Sequence, residues 1–300
     1  MTMLPALIPP TTTGAIDGGI MPSQADTDHE LVALWVGQSA SRHTRRNYER
    51  QSARFLAFIG RPLASVRVGD VQAYLASLSD VASATRANAT AVIKSLLSFA
   101  QLTGYLRFNV GKVVKVPPVK NVLAERILPE AGTLRMIALE ANPRNRALLT
   151  LLYGGGLRIA EACGLRWRDL SERDDGAGQV TLYGKAGRTR AVLLSANTWH
   201  LLSDIRGEAG PDDAVFRSRK GGGALDESAV HRVVKTAAAR AGLSPEASAH
   251  WLRHAHASHA LDRGAPISLV QQTLGHASVA TTGRYLHARP NDSSARYLGV

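Results

Sequence analysis

Residues 109–129 (NVGKVVKVPPVKNVLAERILP) decide what this chain can fold into. Pro117-Pro118 and Pro129 lack amide hydrogens and fix their own backbone angles, so neither a continuous helix nor an interior strand can cross them. The patterns on the two sides differ. The segment therefore reads as an extended linker between two domains, and 300 residues suffice for two of ordinary size. A chain so divided is able to close around something.

Before the break the periodicity is helical. Segments 28–37, 41–59, 67–78 and 83–103 give four predicted helices in a domain spanning 28–108. Ser41 is a plausible N-cap for the second, and Gly60 and Pro62 stop it. Residues 1–27, rich in Pro, Thr and Gly, show no periodicity and read as a disordered tail. Beyond the linker, 130–300 form a mixed domain. Helices are expected over 130–140, 143–153, 158–169, 226–241, 248–262, 266–274 and 278–287. Strands are expected over 179–184 and 188–194, around a turn at Lys185-Ala186-Gly187, with a further short strand at 215–217. The second domain is thus mainly α, of α+β type, with a small antiparallel sheet.

Charge narrows the function. The chain has 36 Lys and Arg against 24 Asp and Glu, a net charge of +12. Residues 1–30 hold Asp17, Asp26, Asp28 and Glu30 and no Lys or Arg, so the rest is more basic still. A body this basic calls for a polyanion, and nucleic acid is the usual one. Arg42, Arg46, Arg50 and Arg54 recur every four residues, a stripe suited to phosphates. Read alone, the stripe is a solvated helix face. Lys112, Lys115 and Lys120 along the linker suit a strap on a DNA backbone and equally a solvated linker. The single cysteine, Cys163, excludes an internal disulfide framework and a multi-cysteine zinc site. No run of about 18 apolar residues exists, so a membrane-spanning helix is not expected, and the cytoplasm is the expected compartment.

Four local constellations carry chemistry. In Gly154-Gly155-Gly156-Leu157-Arg158-Ile159-Ala160-Glu161 a glycine turn delivers Arg158 to a helix start, with Glu161 on the same face to orient it. In His250-Trp251-Leu252-Arg253 the spacing of three puts His250 and Arg253 on one face. Leu274-Gly275-His276 places a histidine at a turn, and Tyr285 follows nine residues later. Lys185 sits at the tip of the hairpin. Six of the ten histidines lie between 250 and 287, which invites a metal reading. No His-Glu-x-x-His is present and Arg253 would repel a cation, so no metal is expected, and His254, His256 and His259 read as surface or packing residues.

Together these are the parts of phosphoryl transfer. Two arginines can neutralise the non-bridging oxygens of a phosphodiester. Tyrosine needs help to attack at neutral pH, and a cationic pocket supplies it by favouring phenolate. A lysine can protonate the departing alkoxide.

The ordered set resembles the tyrosine recombinase (phage integrase) family: the Gly-Leu-Arg158-Ile-Ala-Glu161 box, the hairpin Lys185, His250-Trp-Leu-Arg253-His254, Leu-Gly-His276 and the closing Tyr285. The likeness covers about 28–290, with the first domain similar to the family's SAM-like core-binding domain and the second to its catalytic domain. It implies a C-shaped clamp on DNA. Tyr285 would attack the scissile phosphate to give a 3′-phosphotyrosyl link, Arg158 and Arg253 would hold the phosphate with His250 and His276, and Lys185 would be the general acid. It implies a homo-tetramer on two double-stranded sites with inverted repeats, a monomer or weak oligomer when free, a Holliday junction, and neither cofactor nor ATP. The segment 1–27 is too short and acidic for an additional arm-site domain, which points to the simple Xer- or Cre-like type. One departure is Ala255-His256-Ala257 where the family often shows Thr-Phe-Ala; it is expected to alter helix packing and not the pocket. Ala295-Arg296-Tyr297-Leu298 would pack on a neighbouring protomer. The competing readings are a type IB topoisomerase, a catalytically silent DNA-binding regulator, and a metal-dependent phosphohydrolase. Tyr297 is the nearest rival nucleophile.

Overall fold

The computed structural model describes residues 23–118, 122–184, 189–219 and 221–286. The chain divides at position 120 into two compact units.

The first unit is helical: α1 (Asp28–Gly37), α2 (Arg42–Ile59), α3 (Val68–Ala76) and α4 (Ser83–Leu102). Local chemistry sets the ends. Thr27 Oγ1 accepts from the Glu30 amide at 3.2 Å, and Glu30 reaches back to the Thr27 amide at 3.3 Å. Ser41 caps α2, and Gly60 ends it in the left-handed region at φ 58°. The core gathers Leu31, Trp35, Phe55, Ile93, Leu96 and Leu97. Trp35 stacks on Tyr48 with ring centroids 4.1 Å apart, fixing α1 against α2. With Gln51, Ser52 and Phe55 of α2 turned inward, Arg42, Arg46, Arg50 and Arg54 are all exposed.

Two boundary expectations need correction. Order begins before residue 28. The Gln24 amide donates to the Thr103 carbonyl at 3.1 Å and Ala25 is buried, so 23–27 belong to the first unit; residues 1–22 of the expected tail lie outside the described residues. The segment 109–129 is not extended throughout. Short 3-10 turns occupy Val110–Val113 and Ala124–Arg126. Val110 and Val114 pack into the first core, while Leu123 and Ile127 join a small cluster of the second unit. Their apolar side chains gain more from burial than from solvation, which shortens the free stretch from both ends.

The second unit comprises α5 (Glu130–Ala138), α6 (Pro143–Gly154), α7 (Ile159–Gly164), β1 (Leu170–Glu172), β2 (Gly178–Tyr183), β3 (Thr189–Leu194), α8 (Ala196–Ser203), α9 (Glu227–Arg240), α10 (Ala249–Asp262), α11 (Ile267–Leu274) and α12 (Val279–Gly283). The sheet is antiparallel in the order β1-β2-β3, with Leu170 opposite Val180 and Val180 opposite Val192. Its buried side chains Val180, Leu182, Val192 and Leu194 belong to the same core cluster as the leucines of α6. The single helix expected over 158–169 is broken: α7 stops at Gly164, Leu165 is extended, and a 3-10 turn covers Trp167–Asp169. Among the described residues the expected strand at 215–217 is not a regular strand: Arg217 makes an isolated bridge with Ala224, and Ala214, just before it, another with Arg166. Among the described residues no helix is long and apolar enough to cross a membrane.

Candidate active site

The site is built on one turn. α11 ends at Gly275 in the left-handed region, φ 63°, and throws His276 out of the helix. Three arginines hold that turn by its backbone. Arg253 donates from Nη2 to the Leu274 carbonyl at 2.5 Å, Arg158 from Nη2 to the Gly275 carbonyl at 3.3 Å, and Arg190 from Nε to the Thr273 carbonyl at 2.9 Å.

Each arginine arrives for a local reason. Gly156 takes φ 59° in a close fit, since a Cβ there would lie 2.9 Å from both His256 and Leu274. Its carbonyl accepts from Arg253 Nη1 at 2.6 Å. The turn then sets Arg158 at the N-cap of α7, where the Arg158 amide donates to Glu161 Oε2 at 2.8 Å and its Nη1 to Oε1 at 2.9 Å. The expected orientation of Arg158 by Glu161 is therefore what the geometry gives. Arg190 joins them, though no motif spacing announces it. It grips the same carboxylate with both nitrogens, Nη1 to Oε1 at 2.9 Å and Nη2 to Oε2 at 2.8 Å. Burial alone would raise the Glu161 pKa, but the hydrogen bonds from Arg190 and Arg158 outweigh it and leave the carboxyl below its ordinary value. A signal was present: Arg190 shares a strand face with buried Val192 and Leu194, and an inward arginine needs a partner.

Tyr285 follows α12 and is buried, 7% exposed, among Leu123, Ile127, Ala257, Val270 and Leu274. Its ring lies parallel to that of His276, centroids 6.5 Å apart, while His276 Nδ1 pairs with Thr282 Oγ1 at 2.9 Å. Its hydroxyl lies 2.7 Å from His254 Nδ1. His254 is thus more than the packing residue expected. His256 and His259 do pack, both about Tyr153: His256 Nδ1 on its carbonyl at 2.8 Å and His259 Nδ1 on its hydroxyl at 3.0 Å. Ala255 is buried in the main core and Ala257 in the cluster around Tyr285, while His256 packs against the Gly156 turn, so the departure at 255–257 lies in the packing behind the site.

The electrostatics correct one expectation. The cationic surroundings do not make Tyr285 a phenolate. Burial raises its pKa and outweighs the opposing pull of Arg253 and Arg284. The same burial, reinforced by neighbouring cations, lowers the pKa of His250, brings that of His276 down to about 4 and that of Arg253 to about 10. His250 touches His254 edge to face, centroids 4.2 Å apart, and is exposed like Arg158. Such a cluster of guanidiniums and suppressed imidazoles favours an anion, and a phosphate bound there would offset its charge.

Of the expected site residues, Arg158, Glu161, His250, Arg253, His276 and Tyr285 meet here. Lys185 lies outside the described residues, as do Lys120 and Tyr297. Lys112 and Lys115 are exposed and belong with the arginine stripe to the first unit.

A tyrosine hydroxyl presented beside paired arginines and histidines, in a mainly helical domain with a three-stranded sheet, defines a phosphoryl-transfer protein of the tyrosine-nucleophile class. The pattern of the phage integrase family matches residues 128–292, and that of the phage integrase N-terminal SAM-like domain matches 31–104. The chain belongs to the phage integrase family and is a tyrosine recombinase. It is 33% identical over 290 residues to tyrosine recombinase XerD of Mycobacterium tuberculosis, covering 87% of this chain and 91% of that one. It is also 33% identical over 274 residues to tyrosine recombinase XerC of Myxococcus xanthus, covering 83% and 88%. Among solved structures, the XerH site-specific recombinase bound to its difH substrate superposes with a TM-score of 0.71 at 21% identity, covering 91% of this chain and 84% of that one. A lambda integrase dimer bound to a COC′ core site gives 0.70 at 19% identity, covering 89% and 79%.

Proposed function

We propose that this chain cuts and rejoins double-stranded DNA at a specific site through a 3′-phosphotyrosyl intermediate, with Tyr285 as nucleophile. The observation that carries the reading is the turn at 274–276. Arg158 and Arg253, far apart in sequence, both bind its carbonyls, and its His276 lies against the Tyr285 ring. A phosphate seated between the guanidiniums would meet the tyrosine side of the pocket.

The roles follow from the groups present. Arg253 spends two donors on the carbonyls of Gly156 and Leu274 and keeps the others for a non-bridging oxygen. Arg158, held by Glu161 and half exposed, faces the second oxygen. His250 and His276, neutral at pH 7, add hydrogen bonds. Lys185 protonates the leaving 5′-oxygen. The phosphotyrosine keeps the bond energy, so rejoining needs no ATP.

The first unit offers its arginine stripe, with Lys112, Lys115 and Lys120, to the backbone. Both units contact the DNA, and four protomers act on two sites through a Holliday junction. A solved neighbour, the lambda integrase tetramer bound to a Holliday junction, supports this assembly with a TM-score of 0.67. The cytoplasm is the proposed compartment.

The test is a plasmid carrying two copies of the site, incubated with the protein in EDTA. Recombinant circles or deletions support the reading. Relaxed plasmid without recombinants would instead make the protein a topoisomerase-like enzyme.

A further inference from the structure

We propose that His254 is the general base of the reaction: its Nδ1 takes the proton of the Tyr285 hydroxyl as that oxygen bonds to phosphorus, and returns it when the strand is rejoined. This rests on Tyr285 being the nucleophile.

The geometry is direct. The 2.7 Å separation of Oη and Nδ1 lies within reach of a proton transfer. Both side chains are buried, 7% and 9% exposed, so bulk water does not compete. His254 sits in the middle of α10, next to Arg253, so the base and the phosphate clamp share one rigid element. The other imidazoles are placed differently. His276 lies parallel to the phenol ring with Nδ1 on Thr282, and His250 stands one helical turn back, against His254.

Protonation states agree. The groups facing His254 are His250 and Arg253 from its own helix, Arg126 from the turn at 124–126, and Arg284 and Tyr285 from the segment after α12. Burial first, and those charges second, keep its imidazole neutral, with a pKa near 3. In the tautomer protonated at Nε2 the Nδ1 lone pair accepts, and the phenol, its pKa raised, carries a proton that some group must take. In the forward step the Oη–P bond forms, Oη–H passes to Nδ1, and the P–O5′ bond breaks as O5′ takes the proton assigned above to Lys185. Rejoining reverses each transfer, and the imidazolium protonates the departing tyrosine. A phosphate at Arg158 and Arg253 offsets the positive charges that otherwise oppose that imidazolium.

The test uses the full chain and nicked suicide duplexes tiled across the DNA flanking its gene, and follows Tyr285 adduct formation against pH. His254→Asn and His254→Gln keep an acceptor but cannot carry the proton. Either variant that shifts the duplex like the parent protein is expected to lose a hundredfold or more in rate, of the order general bases contribute. Its rate should rise with pH, and replacing Tyr285 by the more acidic 3-fluorotyrosine should restore it more than it speeds the parent. A parent-like rate and pH profile overturns the proposal, as does the same signature from His250→Asn in place of His254. If neither variant binds DNA, fluorotyrosine in the parent decides: a rate that tracks the phenolate fraction overturns a general base, and one that does not supports it. A parent adduct on a residue other than Tyr285 overturns the nucleophile assignment itself.

Discussion

Arg190 and Glu161 form a two-pronged salt bridge, 2.9 and 2.8 Å, with only 14% and 15% of the two side chains exposed. It ties β3 to the N-terminal turn of α7 and so fixes the carboxylate that orients Arg158. The arginines on this carboxylate thus have different duties. Arg190→Met leaves Glu161 short of a partner and is expected to destabilise the second unit by about 1–3 kcal/mol, read by denaturant titration. Arg158→Lys, at the exposed end, should change stability by less than about 1 kcal/mol but slow DNA cleavage by about a hundredfold or more, because the proposed role on the phosphate needs a guanidinium's two-pronged fork.

Gly275 admits no side chain. Its φ is 63°, and a Cβ would lie 2.9 Å from Arg190 Nη1. Gly275→Ala is expected to cost about 1–3 kcal/mol and to impair cleavage as well, since the turn positions His276. Gly264→Ala, also at positive φ but with nothing within 4 Å, serves as the comparison: it should cost stability without touching the cleavage rate.

Stability should fall on mild acidification. His254 and His276 have folded-state pKa values near 3 and 4, below the ordinary histidine value near 6.5. The unfolded chain therefore binds more protons between those limits. Stability is complete above about pH 6.5 and is lost as pH falls toward the folded values, by at most about 1.4 kcal/mol per pH unit for each group. Denaturant midpoints measured from pH 7.5 to 5 check this. His254→Leu should flatten the slope, and an unchanged slope would show that His254 is not one of the groups responsible.

The proposed role of the arginine stripe of α2, an anchor on the DNA backbone that does not read sequence, sets a salt-dependence test. Neutralising Arg46 and Arg50 together should weaken DNA binding uniformly across duplexes. The salt slope of log K should shrink by about 0.9 for each phosphate that an arginine no longer neutralises. Binding isotherms at several salt concentrations test it. An unchanged slope would make the stripe a solvated face.

What the sequence makes legible is local. Ser41, Gly60 and the Asn142-Pro143 start announce helix ends because capping is settled within a few residues. Arg158 with Glu161, and Gly275 before His276, are likewise near neighbours. The three-residue β1 is too short for periodicity to register. α8 begins at a plain Ser195 cap, but its eight residues carry too little periodicity for a helix to be expected there. The Tyr285–His254 and Arg190–Glu161 pairs join residues 31 and 29 positions apart, which no spacing rule connects. The protonated state of Tyr285 depends on burial, a property of the packed molecule: composition shows the arginines but not the apolar wall of Ile127, Val270 and Leu274 that outweighs them.

The most direct measurement is covalent trapping. The protein is incubated in EDTA with nicked suicide duplexes, denatured in detergent, and any DNA-linked peptide is mapped by mass spectrometry. Phosphotyrosyl chemistry at Tyr285 predicts an adduct on that residue that disappears in Tyr285→Phe, a variant that keeps its fold and its DNA binding. An adduct on Tyr297, or one that persists in Tyr285→Phe, would contradict it.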